Sequence, residues 1–332
     1  MKFWRTLRTI AINIAGILLV CLVLVWPLDY VIFLPGKAYE LSEMVSLPDA
    51  YSSAGSFMMT AVLSRNANLL LMLRSALPFS GMDVYPAQQI RADQGEEEYH
   101  QSMLQSMANS KQIASAVAMS SVGYEINESR DGLIILSFTP GNKVEEQLAA
   151  GDIIVAYDGK PIRLQDDMVQ AQLGKQPGDR VVIEVLRDGE RLSFEIELSP
   201  RSDNPAVGGI GIMTTVVGWK VDLPLEVNIS SADIGGASAG LMLTLEIMDQ
   251  LLAADLTHGR QIAGTGTISM NQAVGAVGGV KQKVLGAIES KAEYFLTPLD
   301  NYAEALSAAG NRIQVIGVAY LADALVFLDG LG

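Results

Sequence analysis

Cysteine and histidine are nearly absent from this chain of 332 residues, which has one of the first and two of the second. The single thiol, Cys21, sits within an apolar run, so the remainder has no disulfide to form and cysteine chemistry is excluded from catalysis. Basic side chains are scarce as well, 23 against 37 acidic ones, for a formal net charge of −14. That sign argues against nucleic acid as a partner. A Walker pattern for binding nucleotide is also missing. Lys143, Lys175 and Lys281 lie near glycines, but none follows the required G-x-x-x-x-G spacing. No metal or cofactor is expected. Apolar residues, in contrast, make up 49% of the chain, and the length suggests two or three globular domains.

Residues 1–8, MKFWRTLR, carry Lys2, Arg5 and Arg8 and no acid. From Thr9 to Leu28 the chain is almost wholly apolar, with Asn13 its one strongly polar side chain. As a helix this run is about 30 Å long, enough to cross a bilayer core. Trp4 and Trp26 stand near the two expected interfaces. By the positive-inside rule, 1–8 is a cytoplasmic tail, 9–28 a single-pass anchor of the cell membrane, and everything from residue 29 extracytoplasmic. No small-x-small cleavage site precedes LDYVIFLPG, although a cleaved signal peptide is the alternative. The exported part then carries −17, because the first 28 residues hold three basic and no acidic side chains. That excess should keep it off anionic headgroups.

Residues 29–119 read as a connecting region, with packing on the last domain of the chain left open. SFMMTAVL reads as a strand, NANLLLMLRSAL as a short apolar helix with an asparagine cap, and Glu96 to about Met119 as a helix with an acidic start. His100 on that helix is read as solvated. Residues 120–200 are β-rich: a strand at 132–138, a helical DDMVQAQLG, a PGD turn, and the hairpin RVVIEVLRDGERLSFEIEL turning at Asp188-Gly189. The order of these parts, and L-x-x-G-D-I-I at Leu148 to Ile154, resemble the PDZ domains of bacterial membrane proteases. Such domains take an extended peptide beside an exposed strand and hold its carboxylate in a loop of backbone amides. The corresponding loop is SVGYEI before the 132–138 strand, with Val122, Gly123, Tyr124, Glu125 and Ile126 expected to touch the peptide. Asp152 and Gly151 are read as turn formers. From 201 a loop and strands lead into the next segment, after which helices and strands alternate, so the fold class is α+β.

The stretch from Asp233 to Lys283 carries the chemistry. It opens DIGGASAGLMLTLEIMDQL, where Gly235, Gly236 and Gly240 permit a tight turn and an apolar helix follows. Ser238 at that junction lies beside unpaired amides at a positive helix end, where an oxyanion is stabilised. A plain N-cap serine is the bland alternative. GASAG also fits the G-x-S-x-G elbow of α/β-hydrolases. That fold needs a downstream histidine, and His258 is placed near the far end of the same helix, too distant to serve. A lysine base of lowered pKa is then the remaining activator. Lys281 follows the uncharged AVGAVGGV and is the candidate. Lys283 would point away from it on a helix.

Ser238 in GGASAG, the TGT at Thr265 to Thr267 and Lys281 in GGVKQK resemble the P-S-A-G serine, T-G-E strand and G-G-[LI]-K-x-K lysine of Lon-type proteolytic domains. The likeness runs from about Val227 to Leu328, which places a proteolytic domain over 201–332. Ala237 stands where many relatives have proline, and Thr267 replaces the usual glutamate. The resemblance implies a ribosomal-protein-like α/β fold and a Ser238–Lys281 dyad. It further implies backbone amides from Ala237 to Ala239 as oxyanion donors and Thr265 orienting the lysine. Without the ATPase module of soluble Lon, substrates are unfolded, exposed or short peptides and proteins. The family also implies a Gram-positive-type envelope and a homo-oligomer. A catalytically degenerate, membrane-tethered PDZ adaptor is the competing reading.

Overall fold

The first strand, β1 (Pro27–Glu40), begins inside the last residues of the apolar run. It pairs antiparallel with β3 (Ser56–Asn68), from Pro27 opposite Asn68 to Glu40 opposite Met58, and the short β2 (Val45–Ser46) lies in the connection. The computed structural model describes residues 4, 13–16, 22–77, 80–92, 94–129, 131–139, 143–201, 207–218, 220–231 and 234–332. Much of the expected anchor, 9–28, lies outside these. Among the described residues no helix is long and apolar enough to cross a membrane. The Asn68 side chain accepts the Leu71 N–H at 2.8 Å and so caps α1 (Leu69–Ser75), as the sequence suggested. β4 (Asp83–Pro86) pairs with the free side of β1. Helix α2 (Glu96–Ser121) has three glutamates in its first turn, where the helix dipole favours them, and buries Ala114 to Met119. His100 is exposed on it.

The chain divides into two units: 1–125 with 223–332, and 126–222. In the second unit β5 (Asn127–Ser129) is followed by β6 (Gly132–Phe138), β7 (Ile153–Tyr157) and helix α3 (Gln165–Ala171). Then come β8 (Arg180–Arg187), β9 (Glu190–Glu197), β10 (Ile212–Val217) and β11 (Lys220–Asp222). The main sheet runs β9-β8-β7-β6-β10, while β5 pairs with β11. Asp188 and Gly189 both have positive φ, 52° and 84°, as a two-residue hairpin turn requires. The core includes Leu133, Ile135, Ile154, Ile183, Val185 and Ile196. Asp152 is more than a turn former. It is 1% exposed and takes two 2.7 Å hydrogen bonds from the Arg187 guanidinium and one of 2.8 Å from the Ala149 N–H. Burial alone would raise its pKa, but these donors outweigh it and hold the carboxyl below its ordinary value.

One expected boundary moves. Residues 212–217 do not lead into the proteolytic unit. They pair along β6, from Ile212 opposite Phe138 to Val217 opposite Gly132, so the β-rich unit extends to 222 instead of ending at 200. Residues 29–119, whose packing on the last domain the sequence leaves open, supply β1, β3 and β4 to the other unit's sheet.

That unit resumes with β12 (Asn228–Ile229), which pairs with β2, and α4 (Gly240–Leu251). There follow β13 (Gln261–Gly264), α5 (Val280–Glu289), β14 (Tyr294–Pro298), α6 (Tyr302–Ala309), β15 (Gln314–Val318) and α7 (Leu321–Asp329). The sheet order is β15-β14-β13-β3-β1-β4. β13 lies parallel to both β3 and β14, with Ala263 opposite Met58 and Phe295. These three pack with Val280, Val284, Ala305 and Ala309 of α5 and α6 on one face. Helix α4 lies on the other, where a Cβ on Gly264 would stand 2.4 Å from the Met242 sulfur. Helices on both faces bury the central strands, and Phe57, Phe295 and Leu296 are fully enclosed.

Candidate active site

The turn that presents Ser238 is set by its glycines. Gly236 has φ 93°, a conformation L side chains rarely adopt, and its N–H donates to the Met103 carbonyl of α2 at 2.7 Å. A short 3-10 turn, Ala237–Ala239, runs into α4, and its leading N–H groups have no partner within the turn. A Cβ on Gly240 would lie 2.8 Å from the Ile268 backbone nitrogen, so only glycine fits where the helix starts. Three further bonds fix the serine's backbone. Gly266 N–H and the Thr265 hydroxyl donate to the Ser238 carbonyl at 2.8 and 3.0 Å, and the Ser110 hydroxyl donates to that of Ala237 at 3.1 Å. Helix α4 then buries every residue from Gly240 to Gln250, which anchors the turn in the core.

Opposite the serine stands the start of α5. Gly279 takes a left-handed conformation before it, φ 68°, and Val280, Lys283, Val284 and Ala287 follow on one buried stripe with i, i+3, i+4, i+7 spacing. Lys283 is therefore carried into the interior, 4% exposed. Its Nζ lies 2.7 Å from Ser238 Oγ and 2.9 Å from Thr265 Oγ1. Thr265 is fully buried. Among the described residues no carboxylate pairs with Lys283. Burial pushes its pKa down to about 7. At neutral pH about half of such amines are unprotonated and able to accept a proton.

The structure thus corrects the expected partner. Lys281 does not approach Ser238. Its ammonium pairs with Asp83 Oδ1 of β4 at 2.7 Å, with the side chain 39% exposed. The Gln282 amide donates to the other Asp83 oxygen at 2.7 Å. Two residues on a helix are about 200° apart, so only one of the two lysines can face the core. The apolar stretch before Lys281 says nothing of that phase, whereas Val280, Val284 and Ala287 do, and a count of helical spacing forward from Val280 would have found Lys283. The serine and lysine are then 45 residues apart. Asp83, Met103 and Ser110 had no sequence signal. They come from elements far away in the chain.

The other expected residues fall as follows. Thr265 joins the serine and lysine, and Ala237 and Ala239 flank Ser238 in the turn. Helix α4 ends at Leu251, so His258 lies beyond it on an exposed turn with φ 49° and takes no part. Val122 caps α2, Gly123 has φ 100°, and Tyr124 is 40% exposed. These three and Glu125 fall in the first unit, and Ile126 opens the second. The strand that follows this loop is β5, not β6. β6 has β7 on one side and β10 on the other, so no peptide can be added alongside it.

A serine hydroxyl thus lies against a dry lysine amine in an α/β unit, and the other unit is an antiparallel β module. Comparison with known families gives the class. Residues 120–198 match the PDZ domain, and residues 211–316 match the Lon protease (S16) C-terminal proteolytic domain. The chain thus contains both domains of a PDZ–Lon protease. The second match begins just before β10, inside the β-rich unit, and leaves out β1, β3 and α2, which complete the proteolytic unit here. Among solved structures, the PDZ domain of an SdrC-like protein from Listeria monocytogenes is 24% identical, covering 26% of this chain and 90% of that one at a TM-score of 0.24. That of an SdrC-like protein from Listeria innocua is 26% identical, covering 25% and 93% at 0.24. A Geobacillus thermodenitrificans protein solved in solution is 34% identical, covering 25% and 95% at 0.23.

Proposed function

We propose that this protein is an ATP-independent, membrane-anchored serine endopeptidase in which Ser238 is the nucleophile and Lys283 the general base. The observation that carries this reading is the buried Lys283 amine, 2.7 Å from Ser238 Oγ and sharing Thr265. The neutral amine accepts the Ser238 proton as Oγ bonds to the peptide carbonyl carbon. The resulting ammonium donates that proton to the departing amine, and the acyl-enzyme is left. Water then attacks with Lys283 as base, and Ser238 is regenerated. The open amides of the Ala237–Ala239 turn face the developing oxyanion. Thr265 keeps the lysine in place by accepting from its amine while donating to the Ser238 carbonyl, so the amine's lone pair stays free for the serine.

The PDZ domain supplies substrate as an extended peptide, with the Val122–Ile126 loop receiving its end and β5 the strand that follows. The anchor is the apolar run 9–28, flanked on one side by Lys2, Arg5 and Arg8, which directs the catalytic unit to the extracytoplasmic side. These 332 residues carry no Walker pattern, and the reading takes short or unfolded chains as substrates and assembly as a homo-oligomer. The test is hydrolysis of a quenched fluorogenic casein peptide by the full chain in detergent. Ser238→Ala should lower it by about a thousandfold or more. Full cleavage by that variant would end the proposal.

A further inference from the structure

Helix α1 turns a leucine face outward on the unit that bears Ser238. Leu70, Leu73 and Leu77 are 52%, 57% and 60% exposed, with Leu69 beside them. At about 100° per residue Leu69, Leu70 and Leu73 fall within about a third of the helix circumference, and Leu77 follows just past the C-cap Ala76. The helix is not loosely attached, since Leu71 and Met72 pack beneath it against the cluster of Ile32, Ala67 and Met82. Its position relative to the proposed anchor is fixed by strand register. Pro27, at the end of the apolar run, lies opposite Asn68, the residue that caps α1. Opposed strand residues are about 5 Å apart, so α1 starts next to the point where the chain leaves the membrane.

Charge supports the same placement. Between Asp49 and Asp83 the chain has no acidic residue, although it holds 37 in all, and it has Arg65 and Arg74 in that interval. Acid is thus sparse in this interval of the chain, and Glu96, which accepts from the Asn66 amide at 3.0 Å, is paired there rather than free.

We infer that α1 lies flat in the outer interface of the membrane, with Leu69, Leu70, Leu73 and Leu77 among the acyl chains and Arg65 and Arg74 at headgroup level. The inference rests on the membrane-anchor reading of residues 9–28. A helix this short would not hold itself on a bilayer, but one tethered beside an anchor has only to settle its apolar face. The proteolytic unit is then seated on the surface instead of swinging from a single strand.

The test uses the full chain in vesicles of phosphatidylethanolamine and phosphatidylglycerol that contain brominated lipid as quencher. A polarity-sensitive fluorophore is placed at one cysteine at a time: native Cys21, or Leu70→Cys, Leu73→Cys or Val326→Cys in a Cys21→Ala chain. Val326 is an exposed control on α7, next to the far edge of the sheet. Probes at 21, 70 and 73 should be quenched by the lipid, that at 21 more deeply, and the one at 326 should not. Quenching at 21 with 70 and 73 as wet as 326 overturns the inference and leaves the anchor standing. Probes at 70 and 73 that are shielded but unquenched mean that protein, such as a second copy, covers the leucines, which also overturns it. An unquenched probe at 21 removes the anchor and the inference together.

Discussion

Lowering the pH from 9 to 6 should cut peptide hydrolysis about tenfold through one amine. Lys283 is 4% exposed, and burial brings its pKa from the ordinary 10.5 down to about 7. Its affinity for a proton has therefore dropped by on the order of 5 kcal/mol. An unperturbed lysine would be neutral in about one molecule in three thousand at pH 7, while this one is neutral in about half. The value of kcat/KM for a fluorogenic peptide should accordingly rise with pH, reach half its maximum near pH 7, and level off above pH 8. At pH 6 it should be about a tenth of the plateau. Glu246 of α4, whose carboxyl burial raises to about 7, titrates in the same range. It lies eight residues from Ser238, about 12 Å along the helix, and bonds to Gln250 at 2.7 Å. Glu246→Gln should therefore leave the inflection where it is. A rate that climbs tenfold per pH unit to pH 9 without levelling, or an inflection that vanishes with Glu246→Gln, would refute the reasoning.

Other consequences follow from the same geometry. Lys281→Ala should change peptide hydrolysis by less than about fivefold, since a half-exposed ion pair contributes about 0–1 kcal/mol, whereas Lys283→Ala should lower kcat by about a thousandfold. Thr265→Val removes a buried hydroxyl that both Lys283 and Ser238 use. Kinetics should show kcat reduced by about tenfold to a hundredfold with KM little changed, from a loss of about 1–3 kcal/mol. Because the native pKa of Lys283 is depressed, the unfolded chain binds more protons between about pH 7 and 10.5, so stability rises with pH across that window. Unfolding measurements should show the advantage of Lys283→Met over wild type shrinking by about 1.4 kcal/mol per pH unit there, and constant below it. In the PDZ unit, Arg187→Ala leaves Asp152 buried with only the Ala149 N–H, and thermal unfolding should report a loss of about 3 kcal/mol.

The features legible in the sequence were those that short-range chemistry dictates. The glycines around Ser238, the asparagine cap at Asn68 and the Asp188-Gly189 hairpin turn each answer to backbone geometry over a few residues. Thr265 is reached through resemblance as the partner of Lys281, whereas its hydroxyl accepts from Lys283. The apolar stretch before Lys281 does not fix which of the two lysines faces inward, because that depends on helical phase. Val280, Val284 and Ala287 rotate Lys283 inward and leave Lys281 to Asp83. The architecture of the proteolytic unit was hidden for another reason. β3 meets β13 across about two hundred residues, Ser56 opposite Gln261, with the whole β-rich unit between them in the chain. Local periodicity carries no record of such a pairing, nor of β10 joining β6.

The titration of the Lys283 amine itself tests the central claim most directly. Protein labelled with carbon-13 at the lysine ε position gives a resonance for each lysine, and the one that disappears in Lys283→Met belongs to this residue. It should titrate near pH 7 in the intact chain. A Lys283 signal that stays fully protonated to pH 10, like an exposed lysine, would contradict a base kept neutral by burial beside Ser238.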